Sequence, residues 1–175
     1  MGSAALRLAR LDDAEAIRQI YNREVTTSTV TFDIVPRSLD EQRHYLSARS
    51  GAHAVIVATD GEDGAVLGYG ALSPWRAKPA YSTSVEDSVY VHPDHQGRGI
   101  GRTLLTELIR VGTAHGFHAV FARIVGEHEA SIRLHTSLGF ETVGTEREVG
   151  RKFGRWLDVL VMELLIQPGA PPEAG

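Results

Sequence analysis

The chain has 175 residues, a length that suits one domain with a full core and no need of a covalent staple. It contains no cysteine, which excludes disulfides, thiolate metal sites and a cysteine nucleophile. A net charge of -4 gives no chain-wide attraction to nucleic acid or to an anionic membrane. No apolar run reaches membrane-spanning length and the first residues form no apolar signal core, so a cytoplasmic setting is expected.

Ala5 to Ala9 alternates as a first strand does. Asp12, with Glu15 three residues on, reads as a capping pair opening a helix whose Ala16, Ile17, Ile20 and Tyr21 form one apolar stripe. Val25 to Pro36 is rich in β-branched residues but flanked by helices, and reads as an extended loop. Ser38 and Glu41 make a second capping box, for a helix that carries Leu39, Tyr45 and Leu46 and ends near Gly51. His53 to Thr59 and Ala65 to Leu72 read as the strands of a hairpin joined at Asp60-Gly61-Glu62-Asp63-Gly64.

The stretch from Ser84 to Ala114 organises the rest. Glu86, Ser88 and Tyr90 alternate with Val85, Val89 and Val91 as on a strand, and Pro93 stops it. The run Gln96-Gly97-Arg98-Gly99-Ile100-Gly101 follows, and then Leu104, Leu105, Leu108 and Ile109 recur at helical spacing. A strand, a glycine loop and a helix in that order present unpartnered amides and the positive end of a helix dipole to an anion, and glycines let a pyrophosphate approach them. On loop chemistry alone, the alternative is a flexible loop capping a helix. The spacing G-x-G-x-G disfavours the dinucleotide fingerprint, and Gln96 and Arg102 disfavour a nucleotide-triphosphatase loop.

His118 to Val125 reads as a buried strand, parallel to its predecessor because a helix separates them. A helix from about Glu129 to Leu138 closes at Gly139. Glu141 to Val149 and Trp156 to Ile166 form an antiparallel pair around Lys152-Phe153-Gly154-Arg155, and the tail beyond lacks apolar anchors and should be mobile. The sum is a single α/β domain of about seven strands and four helices.

The run Q-G-R-G-I-G is similar to the acetyl-CoA pyrophosphate loop, Q/R-x-x-G-x-G/A, of the GNAT superfamily of N-acetyltransferases. I-Y-N-x-x-V-x-x-S-T-V-T-F, G-Y-G before P-W-R, V-E-D-S-V-Y-V-H-P, A-S-I-R-L-H-T-S-L-G-F and K-F-G-R-W-L-D-V resemble, within it, the phosphinothricin and methionine sulfone/sulfoximine acetyltransferase branch. The resemblance implies one GNAT domain over residues 1–167, with a tail at 168–175. Its mixed, twisted sheet would splay the parallel strands Val85 to Val91 and Ala119 to Val125 around the pantetheine arm of acetyl-CoA, the co-substrate. It also implies a homodimer with the acceptor site near the interface. No metal is expected, since His92-x-x-His95 offers too few ligands.

Transfer from a thioester to an amine needs a group that takes a proton. Glu86 is the candidate; by pattern alone it could equally be a solvated glutamate, and the resemblance assigns it as base, acting directly or through water. A backbone amide at Tyr90 or Val91 would hold the developing oxyanion. His135 stands where many superfamily members have a tyrosine that protonates the CoA thiolate, although a helical histidine facing a core is often only structural. For the cofactor, the resemblance implies Tyr90, Val91, Gln96, Gly97, Arg98, Gly99, Ile100, Gly101 and Arg102; Arg98, Arg102 and Arg133 are candidate partners of the phosphates, with solvated surface charge as the equal alternative. His128 and Ser131 would serve the pantetheine arm, His128 standing where the family often has Asn. For the acceptor, Phe32 and Trp75 would supply walls and Arg76 or Lys78 a cation for a carboxylate, the alternative being ordinary packing and surface charge. Asp33 follows Phe32 where phosphinothricin enzymes have arginine, which puts methionine sulfone or sulfoximine-like amino acids ahead. The expected activity is acetylation of a small-molecule amine. The rivals are another amine (a protein N-terminus, a polyamine, an aminoglycoside) or a CoA-binding regulator without turnover.

Overall fold

The computed structural model describes residues 4–166, and the expectation of a mobile tail at 168–175 lies outside the described residues. Among the described residues the strands are β1 (Ala5–Leu8), β2 (Ile56–Thr59), β3 (Val66–Pro74), β4 (Ser84–Val91), β5 (Ala119–Val125), β6 (Glu141–Lys152) and β7 (Arg155–Leu165). The α-helices are α1 (Ala14–Thr27), α2 (Leu39–Ser47), α3 (Ile100–Ala114) and α4 (Glu129–Thr136). One seven-stranded sheet runs in the order β1-β2-β3-β4-β5-β7-β6. Only β4 and β5 pair in parallel.

Alternation along the strands divides the apolar residues between two faces. On one, Ile17, Ile20, Tyr21 and Val25 of α1 meet Val57, Tyr69 and Ala71. On the other, Ile100, Leu104, Leu105 and Leu108 of α3 meet Ala58, Leu72, Val85 and Val120, with Ile132 and Leu134 of α4 packed alongside. The three leucines of α3 are at most 1% exposed, and burying such a side chain contributes about 2 kcal/mol. That periodicity made α3 legible, and it clamps the glycine loop at the helix's start.

The parallel pairing is short. Ser84, Val85 and Glu86 match Ala119, Val120 and Phe121, and beyond Glu86↔Phe121 the strands continue to Val91 and Val125 without pairing. The expected splay therefore opens at Asp87.

Several expectations shift. The start of α1 is not built on Asp12 and Glu15: Asp13 accepts the Arg10 amide at 2.6 Å and pairs with Arg7, while Glu15 accepts from Arg18. A nearly buried Asp13–Arg7 pair thus outranks the exposed capping pattern. Helix α1 runs through Val25 to Thr27, which the sequence assigned to the loop. Thr26 and Thr27 return their hydroxyls to carbonyls one turn back, and Ser28 is the first extended residue. The capping box of Ser38 and Glu41 forms as expected, at 3.2 and 2.7 Å, although α2 ends at Ser47 and a 3-10 turn covers Gly51–His53. The second hairpin is longer than expected, with Phe153 and Gly154 both at positive φ in a two-residue turn.

Candidate active site

A cavity of about 630 Å³ occupies the gap where β4 and β5 part. Its walls are β4 from Glu86 to Val91, β5 from Ala122 to Val125, the loop before α3, and the His128, Ser131, Leu134 and His135 side of α4. Glu24, Val30, Thr31 and Phe32, from the end of α1 and the loop after it, line it as well.

The loop is built to leave amides bare. Gly97 and Gly99 have φ of +73° and +79°, and a Cβ on either would meet nothing within 4 Å. Gly99 caps α3 in the left-handed region, so the helix begins with its amide end open to the cavity. Gly101 has another reason: a Cβ there would sit 3.4 Å from Leu134, on α4. Gln96 donates to the Val91 carbonyl at 3.4 Å. Gln96, Gly97, Gly99, Ile100, Gly101 and Arg102 all line the cavity, and Arg102 also donates to Ser137 at 3.0 Å. Arg98 does not line it; exposed, it reaches His95 at 3.3 Å. Arg133 is an exposed partner of Glu129.

Backbone direction separates Tyr90 from Val91. The His92 amide donates to Leu67 on the β3 side at 2.8 Å, so alternation turns the Tyr90 amide the same way and the Val91 amide into the gap. The Tyr90 ring stacks on Tyr69 at 5.2 Å, beneath α1.

Glu86 lies half-buried on the α1 face of the sheet. Burial raises its carboxyl above the ordinary range; Arg123 opposes that shift, and Asp87 and Glu146 add to it. Arg123, two residues beyond Phe121 on the same face, lines the cavity and is paired with Glu146. Phe121, the cross-strand partner of Glu86, stacks on Trp75 at 4.2 Å, and the Arg76 guanidinium lies 5.0 Å over Trp75. Trp75 and Arg76 therefore flank the Glu86 face, and neither they nor Lys78 line the cavity. Phe32 lines it and rests against Gly150.

Three residues escaped the sequence reading. Asp87, next to Glu86 and so turned to the opposite face by alternation, faces His135. His135 Nε2 is 3.1 Å from Asp87 Oδ2, and its Nδ1 is 2.7 Å from the Ser131 carbonyl. Arg123 could have been found from same-face spacing once β5 was set beside β4. Lys152, 4% exposed, donates to the Thr31 and Glu24 carbonyls at 2.8 and 3.3 Å and so ties the Phe32 loop to the second hairpin. His92 and His95 have ring centroids 5.4 Å apart, and among the described residues no group of three or more His, Asp or Glu could hold a metal. No helix among them is long and apolar enough to cross a membrane.

The acetyltransferase (GNAT) domain family matches residues 6–161. A phosphinothricin N-acetyltransferase of Streptomyces coelicolor is 46% identical over 150 residues, covering 85% of this chain and 88% of that protein. An L-methionine sulfoximine/L-methionine sulfone acetyltransferase of Salmonella typhimurium is 38% identical over 97% of this chain and 98% of its own. The crystal structure of a GNAT superfamily phosphinothricin acetyltransferase from Sinorhizobium meliloti in complex with AcCoA superposes with a TM-score of 0.88 at 39% identity, covering 98% of this chain and 97% of that one. Fold, loop and relatives agree: the chain belongs to the GNAT family of acetyl-CoA-dependent N-acetyltransferases.

Proposed function

We propose that this GNAT enzyme moves the acetyl group of acetyl-CoA directly onto the amine of a small amino-acid-like acceptor, with methionine sulfone or sulfoximine ahead of phosphinothricin. The observation that carries the reading is the half-buried Glu86, its carboxyl raised by burial, where β4 and β5 begin to part along a cleft also lined by the bare amides of α3.

The cleft fits acetyl-CoA on three counts. The open Cβ positions of Gly97 and Gly99 suit a pyrophosphate against the α3 amides. The unpaired stretch of β4 and β5 suits a strand-like pantetheine arm, with His128 and Ser131 on the facing wall. The positive charge of Arg102 suits the phosphates. The coenzyme supplies an activated acetyl group, and the chain's own residues do the rest. Glu86 takes the ammonium proton, directly or through water, and its raised pKa brings it nearer the pH at which the amine must be neutral. The Val91 amide, turned into the gap, donates to the carbonyl oxygen as it gains charge. We assign no proton transfer to His135, because both its ring nitrogens are engaged.

The acceptor would lie between Phe32 and the Trp75–Phe121 stack, with Arg76 or Lys78 meeting its carboxylate. Asp33, committed to Tyr21 and Arg37, puts no cation at the position after Phe32, which supports a neutral sulfone over a phosphinate anion. Acetyl-CoA is kept inside cells, so the reading places the protein in the cytoplasm. A homodimer is part of it, supported by exposed Ile34, Val35, Val149, Phe153 and Trp156 around the Phe32 loop and the second hairpin.

Free-thiol release from acetyl-CoA across a panel of amines tests the reading. Turnover on amino-acid sulfones that disappears in Glu86→Gln supports it. Tight acetyl-CoA binding with no turnover on any amine, or activity confined to peptides, overturns it.

A further inference from the structure

We propose that His135 is an imidazolium held by Asp87 in the resting protein, and that this buried ion pair is a positioning element pinning α4 to β4 where the parallel strands part. The pair would fix one wall of the coenzyme cleft, so the inference rests on the reading that the cleft receives acetyl-CoA.

The charge state follows from counting donors. Nδ1 faces the Ser131 carbonyl at 2.7 Å, and a carbonyl only accepts, so Nδ1 carries a hydrogen. A neutral ring would then turn a bare Nε2 toward Asp87 Oδ2 at 3.1 Å, acceptor against acceptor. A second proton removes the conflict. It resides on the ring because a carboxylic acid (pKa about 4) is a stronger acid than an imidazolium (about 6.5). The electrostatics agree: burial pushes the His135 pKa down, but the hydrogen bond and charge of Asp87, with the Ser131 carbonyl, prevail and raise it. The other titratable groups at hand do not supply the counter-charge. Glu86 points to the opposite face, and the His128 ring, at the residue before α4, opposes a charge on His135.

Position argues for placement over stability. The two side chains are 5% and 3% exposed, and Asp87 Oδ1 is buried without a partner, so desolvation of the pair is incompletely offset. Asp87 is the first residue past the last matched pair of β4 and β5. Across from it, His135 packs edge-on against Phe140 at 4.9 Å, in the last turn of the helix that brings His128, Ser131 and Leu134 to the cavity. Nothing else on that line joins β4 to α4 by a hydrogen bond among the described side chains. The pair therefore sets how far the α4 wall stands from the β4 wall.

The test uses the full chain with ¹⁵N-labelled histidine. In the wild type at pH 7.5, His135 should show both ring nitrogens protonated. In Asp87→Leu, which leaves Nε2 without a partner, it should revert to a neutral ring, and the acetyl-CoA dissociation constant should rise about tenfold, since small misplacements of a binding wall act on that scale. Asp87→Asn, whose amide can donate to the neutral Nε2, should recover most of that loss. A neutral His135 in the wild type overturns the proposal, as does an Asp87→Leu variant that folds, loses the imidazolium and binds acetyl-CoA as before. If the wild type itself failed to bind acetyl-CoA, the reading of the cleft would fall, while the ring spectrum would still decide the ion pair.

Discussion

Phe32 fills the space that a side chain at residue 150 would need: a Cβ on Gly150 would stand 2.3 Å from the Phe32 ring. The close approach lets the Phe32 loop lie down on the second hairpin and present Thr31 and Phe32 to the cavity. Gly150→Ala must push the ring aside, at the acceptor end only. The expected result is an acceptor KM raised about tenfold, as for a misplaced positioning group, with acetyl-CoA affinity within twofold of the wild type. Steady-state kinetics with each substrate varied in turn checks it.

Lys152 holds the same loop from below through the Thr31 and Glu24 carbonyls. Lys152→Met keeps the stem and removes the ammonium, leaving the Thr31 carbonyl without a donor at about 1–3 kcal/mol, while the Glu24 carbonyl keeps the Ser28 amide. The thermal midpoint should fall by several degrees and the acceptor KM should rise. An unchanged KM alongside a lowered midpoint would separate the two effects and deny the loop its role.

Glu86 must be ionised to accept a proton, and burial raises its pKa above 4.5. Activity should therefore climb with pH through that raised value, and Glu86→Gln should lower kcat/KM by about 10²–10⁴. Arg123 opposes the shift, so Arg123→Ala should move the acid limb of kcat/KM to higher pH. The comparison is between two pH profiles on one acceptor, which cancels the acceptor's own ionisation.

What the sequence could and could not show divides along physical lines. Periodicity found α3 and the strands around it because packing makes a regular demand on one side chain in two or in three to four. The glycine loop was legible because open Cβ positions and a helix start leave a signature in residue type. Alternation correctly separated Glu86 from Asp87, yet pairing Asp87 with His135 needed the distance between β4 and α4, forty-eight residues apart in sequence. The start of α1 was misread for a similar reason: Asp13 is fixed by Arg7 in β1, outside any capping window. Trp75 and Arg76 were placed beside the acceptor by motif, but the stacking of Trp75 on Phe121, with Arg76 over Trp75, depends on strand register.

Stability should carry a mark of the same buried pair. A histidine whose folded pKa is raised contributes stability that is fully present below its unfolded value of about 6.5 and is lost as pH rises through the folded value. Asp13 behaves oppositely: its hydrogen bond to Arg7 lowers its pKa below 3.8, so its contribution is lost only as pH falls beneath that. Between pH 6 and 9 the Asp13 contribution is constant and the His135 contribution declines. The thermal midpoint of the wild type should therefore fall over that range more steeply than that of Asp87→Asn, in which the ring has no charge to hold. His128, pushed the other way by desolvation and by the His135 charge, is coupled to the pair, so both curves are taken in a His128→Gln background, where their difference reports the pair. Parallel curves would mean that Asp87 does not hold a proton on His135.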